Sequence, residues 1–116
     1  MYVDGFVIAV PKANIERYKE MATLGKNVWI EHGALSYVEA IADDVPYGEI
    51  TSFPRAVQAS EDETVVFAWI TYPSREKRDE INAQVMQDPR MKMDDWKGIF
   101  DTQRMIYGGF EVIVGS

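Results

Sequence analysis

An α+β fold, a four-stranded antiparallel sheet with two helices on one face, is predicted by three features of the 116-residue sequence. Four segments are rich in β-branched and aromatic residues. Two longer segments carry apolar residues near a 3.6-residue period. Glycine, proline and serine stand at the junctions between them. The resulting order is β-α-β-β-α-β, the ferredoxin-like arrangement. Right-handed crossovers put its first and third strands at the centre and the other two at the edges.

The first strand is Tyr2–Val10, closed by Pro11. A helix from about Asn14 to Glu31 carries Ile15, Tyr18, Ala22, Gly25 and Trp29 on one stripe, widened by Met21 and Val28. Gly33 after His32 stands at the usual C′ position of a helix end. The second strand is Leu35–Ala42. The polar stretch Asp43–Glu63 is too long for a plain hairpin loop. Within it, Ile50–Val57 reads as a short edge strand, as a lid on a ligand pocket or as an arm laid over a second subunit. The third strand is Thr64–Tyr72, and Ser74 is an N-cap for a helix through Asp88 that buries Ile81, Val85 and Met86. "DPRM" (Asp88–Met91) breaks that helix, and Met91–Gly98 reads as a ragged further turn. The last strand is Arg104–Val114, in which the adjacent Gly108 and Gly109 point either to a bulge or to clearance on both faces.

The bulk numbers bound the function. Residues 1–116 form one domain, which at this length buries roughly two thirds of its unfolded surface. A formal charge of −7 argues against nucleic acid and against an anionic membrane surface as partners. There is no cysteine and only one histidine, His32, which excludes thiolate chemistry and an intrachain multi-histidine metal site. "MYVDGFVIAV" lacks the basic start of a signal peptide, and no apolar run approaches the ~18 residues of a membrane helix. A cytoplasmic protein is expected. No G-x-G-x-x-G, Walker A, G-x-S-x-G or calcium-loop spacing is present, the acids of "KMDDW" included, so neither a cofactor nor a metal is predicted.

Strand alternation divides the sheet into two sets of side chains. One is small and aliphatic: Val3, Gly5, Val7 and Ala9 in the first strand, Val38, Ala40 and Ala42 in the second. It continues with Val66, Ala68, Ile70 and Tyr72 in the third strand and Ile106, Gly108 and Phe110 in the last. It suits close helix packing and is assigned to the helix side. The other set mixes aromatics with carboxylates: Tyr2, Asp4, Phe6 and Ile8, then Tyr37, Glu39 and Ile41. It adds Val65, Phe67 and Trp69, then Tyr107, Gly109 and Glu111. Left open, it would exceed the apolar patch a monomer tolerates, so a homodimer through the open sheet face is expected. Asp4, Glu39 and Glu111 then either reach solvent at strand ends or form a carboxylate site at the dimer seam.

The candidate chemistry is sparse. His32 is the one side chain that titrates near neutrality unaided. With Asp4 and Glu39 it makes up the candidates for catalysis, although a helix C-terminus alone accounts for a histidine there. Trp29, Arg55, Tyr72 and Phe110 are the candidates for ligand binding: aromatic rings for a flat substrate and a guanidinium for an anionic group. Trp96, in "DDWKGIF", has no assigned role.

The stretches "YVDGFVIAVPK", "EHGALSYVEAIADDVPYGEITSFPRAV", "TVVFAWITYPSREKRD", "MQDPRM" and "RMIYGGFEV" resemble a bacterial family of small uncharacterised proteins, the YbaA-like family, over nearly the whole chain. That family is similar in fold to the dimeric α/β-barrel superfamily, which includes antibiotic-biosynthesis and haem-degrading monooxygenases. The resemblance implies the same fold and dimer, and a ligand pocket between sheet and helices near Gly5, Ala9, Ala40, Ala42, Ala68 and Gly108. It implies no catalytic residues, and no haem-ligand segment surrounds His32. Two functions follow as expectations. One is a cofactor-independent enzyme or binder acting on a small aromatic or carbonyl metabolite. The other is a structural or stress-related dimer without a reaction.

Overall fold

Strand β1 (Tyr2–Pro11) lies between β3 (Glu63–Tyr72) and β4 (Ile106–Glu111), antiparallel to both, and β2 (Ser36–Ile41) pairs antiparallel with the outer edge of β3. The sheet order is therefore β2-β3-β1-β4, with the first and third strands central as the crossover argument requires. The computed structural model describes residues 1–92 and 96–115. Helix α1 (Ile15–Glu31) joins β1 to β2, a short α2 (Phe53–Ala56) lies between β2 and β3, and α3 (Arg75–Gln87) follows β3. Single 3-10 turns occupy Lys12–Asn14 and Pro89–Lys92.

The helix ends follow from local chemistry. His32 is the C-cap of α1, and Gly33 takes φ +116° directly after it, a left-handed backbone that glycine adopts without a Cβ clash. Ser74 caps α3 by accepting from the Lys77 amide at 3.2 Å. Helices α1 and α3 cover one face of the sheet. Val28 of α1 and Ile81 and Val85 of α3 close one core cluster with Ile70 and Tyr72, while Tyr18 of α1 packs with Ile8, Val10, Val66 and Ile99 in another. Met86 is exposed, contrary to its expected burial, because its helix position turns it to the rim of α3.

Pairing register decides which alternate set faces the helices, and it reverses the expectation for three strands. Opposite residues in antiparallel strands share a face. Tyr2, Asp4, Phe6, Ile8 and Val10 stand opposite Tyr72, Ile70, Ala68, Val66 and Thr64. Across β3, Tyr37 and Glu39 stand opposite Ile70 and Ala68. Across β1, Tyr107 and Gly109 stand opposite Phe6 and Asp4. The aromatic and carboxylate set of β1, β2 and β4 thus faces the helices, and only in β3 does the small aliphatic set do so. The expectation fails because side-chain size was taken to mean close helix packing. The helices instead stand off from part of the sheet, and large side chains line the space. Asp4 and Glu39 therefore lie beneath helices, not at a dimer seam.

The other face carries Val3, Gly5, Val7 and Ala9 beside Val65, Phe67 and Trp69. Its near end is covered by the segment after β2. Ser52 caps α2 by accepting from the Arg55 amide, and Val57, 1% exposed, closes a third cluster with Val7, Ala9 and Val65. Phe53 meets Phe67 edge-on, with ring centroids 5.8 Å apart. Ile50–Val57 is therefore neither an edge strand nor a lid over the helix side. It is a helical turn packed on the distal face of its own sheet. Strand β4 pairs with β1 without a break from Ile106 to Glu111, so the two glycines form no bulge. Gly108 lies on the face away from the helices and Gly109 beneath them, the reverse of what the small-residue assignment implied. Of the turn read at Met91–Gly98, residues 93–95 lie outside the described residues. Trp96 packs into the Tyr18 cluster, with the Arg17 guanidinium 4.8 Å above its ring.

One ion pair ties the arm to the sheet. Arg104 clamps Glu63 through two hydrogen bonds of 2.9 and 2.6 Å and donates to the Gln58 carbonyl. Arg104, with help from the Ser60 amide, lowers the Glu63 carboxyl from the ordinary 4.5 to about 2. A depressed carboxylate stabilises the fold fully above its unfolded value and loses that contribution as pH falls toward its folded value. Thermal unfolding should show wild type losing stability between pH 4.5 and 2. Glu63→Gln should start lower at neutral pH, by about 2 kcal/mol, and lose less across that window. Equal losses in both proteins would overturn this assignment.

Candidate functional site

The sheet–helix space holds a cavity of about 530 Å³, lined largely by aromatic, aliphatic and methionine side chains. Among the described residues, two carboxylates enter it. Asp4 is the third residue of the central strand β1, and Glu39 lies on edge strand β2, two strands away and one row along. Strand and residue spacings put their Cα atoms roughly 12 Å apart.

Asp4 is 8% exposed, and a charge buried this far needs partners. Arg78 of α3 supplies the counter-charge, with Nε 3.2 Å from Oδ1 in an ion contact too poorly aligned for a hydrogen bond. The Tyr72 hydroxyl donates to Oδ2 at 3.1 Å and Asn82 Nδ2 donates to the same oxygen at 3.5 Å. Trp29 Nε1 donates to Asn82 Oδ1 at 3.0 Å, which fixes the amide so that its nitrogen faces Asp4. Arg78 also donates to the Tyr2 hydroxyl and to Asp79, and lies 4.9 Å over the Tyr2 ring. Burial, then the Asp4 charge, pushes the Tyr72 phenol up, so it stays protonated and its one proton serves Asp4 Oδ2 or Asn82 Oδ1, 3.2 Å away. Burial alone would lower the Arg78 guanidinium; Asp4, Tyr2 and Asp79 together outweigh it, and the group is raised overall.

Glu39 is held differently. Tyr18 of α1 donates to Oε1 and Tyr37 donates to Oε2 at 2.6 Å. Burial and then the Glu39 charge raise both phenols far above their usual range. Glu39 therefore sits between two neutral donors. Gly25 of α1 makes this possible, because a Cβ there would lie 2.8 Å from the Tyr37 hydroxyl.

Gly109 does the same for Asp4. A Cβ on Gly109 would overlap Arg78 Nη2 and the Tyr2 hydroxyl. Removing the side chain from this one strand position leaves space over β4 for the guanidinium that pairs with a carboxylate on β1.

The remaining sequence candidates lie elsewhere. His32 is outside the cavity lining, at the end of α1, with Nδ1 3.1 Å from Gln84 Oε1 and Nε2 3.1 Å from Asp88 Oδ2. Asp88 is held well below the usual carboxylate range by Arg90 first and His32 second. Arg55 stacks 3.9 Å over Tyr47 and spends its guanidinium on the Tyr47 and Gly48 carbonyls. Phe110, 65% exposed, lies on the far face of the sheet. The structure brings together Asp4, Glu39, Trp29 and, through its hydroxyl, Tyr72; it does not bring in His32, Arg55 or Phe110. Sequence reasoning missed Tyr18 as a partner of Glu39, and Arg78 and Asn82 as partners of Asp4. A signal for the last two was present: Arg78 and Asn82 are four residues apart on one helix stripe with Ile81 and Val85, a polar pair on a buried face. Among the described residues, no three histidine or carboxylate side chains converge as a metal site.

The two glycines of "YGGF" should respond differently to alanine. Gly109→Ala displaces Arg78 and strands the Asp4 charge, an expected loss of about 3 kcal/mol in urea unfolding. Gly108→Ala meets only the Phe110 ring at 3.6 Å, an ordinary contact, and should cost under about 1 kcal/mol. Equal losses would show that Gly109 does not serve the ion pair.

Residues 1–102 match the family described as "Protein of unknown function (DUF1428)". The uncharacterized protein YbaA of Escherichia coli (strain K12) and that of Shigella flexneri are each 53% identical over 113 residues, 97% of this chain and 97% of theirs. The crystal structure of protein Atu4242 from Agrobacterium tumefaciens matches over 96% of this chain and 92% of that one. Its TM-score is 0.59 at 14% identity, a likeness of fold alone. With a match over most of its length and more than half its residues shared with those relatives, this chain belongs to the DUF1428 family.

Proposed function

We propose that the protein is a cofactor-independent enzyme that moves a proton on a small aromatic or carbonyl compound bound between sheet and helices. The observation that carries this reading is the cavity of about 530 Å³, within the size of small-molecule sites, with a buried carboxylate and guanidinium side by side in an otherwise apolar lining. In this reading Asp4 takes a proton from the carbon next to a carbonyl, and the C–H electron pair moves into the new C=C bond. The oxygen, now an enolate, is held by Arg78. Return of the proton to the same or another carbon completes an enolisation or isomerisation with no oxidant or metal. Tyr72, Asn82 and Trp29 orient the carboxylate.

A binder that does not react is the second reading, favoured by the saturation of Asp4 with Arg78, Tyr72 and Asn82. The two separate in heavy water. Proton NMR of a panel of neutral and ammonium-bearing aromatic ketones should reveal deuterium entering the α-carbon with wild type, and a loss of 10²-fold or more in Asp4→Asn. Binding without exchange would favour the non-catalytic reading, and exchange unchanged in Asp4→Asn would remove Asp4 from the mechanism.

We further propose a cytoplasmic homodimer, joined through the sheet face that carries no long helix. The sheet order β2-β3-β1-β4 supports a ferredoxin-like reading, in which two such sheets face to face would form a dimeric α/β barrel. What supports this is the apolar surface beyond α2, where Phe67, Ile106 and Phe110 are exposed on one face, more than a monomer ordinarily leaves to water. Light scattering at micromolar concentration should give twice the chain mass of 13.2 kDa. Phe110→Asp should halve it. A monomeric wild type would refute the barrel.

A further inference from the structure

Resting on the reading of the cavity as a ligand site, we infer that its occupant carries a positive charge: a small organic cation, such as a methylated ammonium on an aromatic or apolar body, seated against Glu39. The two carboxylates of the cavity are not equivalent. Asp4 has Arg78 as its counter-ion. Glu39 has only the hydroxyls of Tyr18 and Tyr37, and among the described residues no cation lies within ion-pair distance of it.

Among the described residues, no cation near Glu39, Lys26 included, forms an ion pair with it. Arg78, the one cation among the described residues that line the cavity, is engaged by Asp4 and Asp79. On the outer side, Lys19 and Lys26 line a shallower groove that shares Tyr18, Tyr37 and Glu39 as its wall. Lys19 pairs with Glu16 at 3.3 Å. Half-buried Glu39 is thus left with hydrogen-bond donors but, among the described residues, no ion-pair partner, a place that a bound cation would take.

The walls around that charge suit a cation. Trp29 and Tyr37 stand with ring centroids 5.9 Å apart and planes tilted by 45°. Phe100 meets Tyr18 edge-on at 5.8 Å. Two angled ring pairs thus flank one carboxylate, the arrangement that binds quaternary ammonium groups through ring faces. Burial of the two phenols keeps them protonated, so they donate to Glu39 without adding a second charge. The net charge of −7 favours approach of cations over anions.

The test compares three probes built on one phenyl ring and differing in charge on the full-length protein. These are phenyltrimethylammonium, its neutral isostere tert-butylbenzene, and benzoate. NMR of ¹³C-methyl methionine reports on the cavity, because Met21, Met86, Met91 and Met105 line it. Phenyltrimethylammonium should bind at least tenfold tighter than tert-butylbenzene, and benzoate should not bind. Glu39→Gln should weaken the cation at least fivefold and leave tert-butylbenzene unchanged, while Tyr18→Phe, which keeps the charge, should retain the preference. A neutral or anionic probe that binds as tightly as the cation overturns the inference, and that comparison needs no variant. If tert-butylbenzene binds and the cation does not, the cavity remains a ligand site and the cation falls. If none of the three shifts the methionine methyls, both readings fall.

Discussion

A carboxylate in the centre of a sheet governs much of this structure. Asp4 cannot be solvated where it lies, so its charge must be answered from within the fold. The answering group comes from α3, one of the two long helices over that face of the sheet. For Arg78 to arrive, β4 must give up a side chain at the position opposite Asp4, and it does so at Gly109. For the second oxygen of Asp4 to be satisfied, Tyr72 must present its hydroxyl from the end of β3 and Asn82 its amide from α3. Trp29 of α1 then orients that amide. One buried charge thereby links β1, β3, β4 and both long helices.

The same requirement shapes the cavity. Hydrophobic contacts among Val28, Ile70, Tyr72, Ile81 and Val85 hold one end of the helix layer on the sheet, and those among Ile8, Tyr18, Val66 and Ile99 hold the other. Between them, bulky groups such as Phe6, Tyr37 and Tyr107 line space without filling it. Glu39 closes the β2 side through two phenols, with Gly25 giving Tyr37 the room to reach it. The two sides thus solve the burial of a carboxylate in different ways. Asp4 has a full counter-ion; Glu39 has only dipoles. That asymmetry gives the cavity a direction, with a neutral ion pair at one end and a net negative charge at the other.

Much of this was legible in the residues. The element order, the central placement of β1 and β3, the Ser74 cap and the Gly33 stop all follow from local chemistry and are observed close to the expected positions. The pairing of Gly108 with Gly109 announced that β4 has a special demand on its backbone. What was not legible was which glycine served which face, because the Arg78 side chain that needs the space lies 31 residues away on another element. Likewise "TSFPRAV" contains apolar residues that must be covered, but its conversion to a helical turn over Val7, Ala9 and Val65 depends on an exposed patch that only the assembled sheet creates.

The sequence by itself determined that each strand has two alternate sets of side chains, one small and one mixed with acids, since that follows from a period of two. Only the tertiary structure decided which set turns toward the helices, since strand parity is relative until the strands are put in register. Tyr2 opposite Tyr72 and Asp4 opposite Gly109 are the pairings that settle it. They turn Asp4 and Glu39 from surface acids into the two charged ends of an internal cavity.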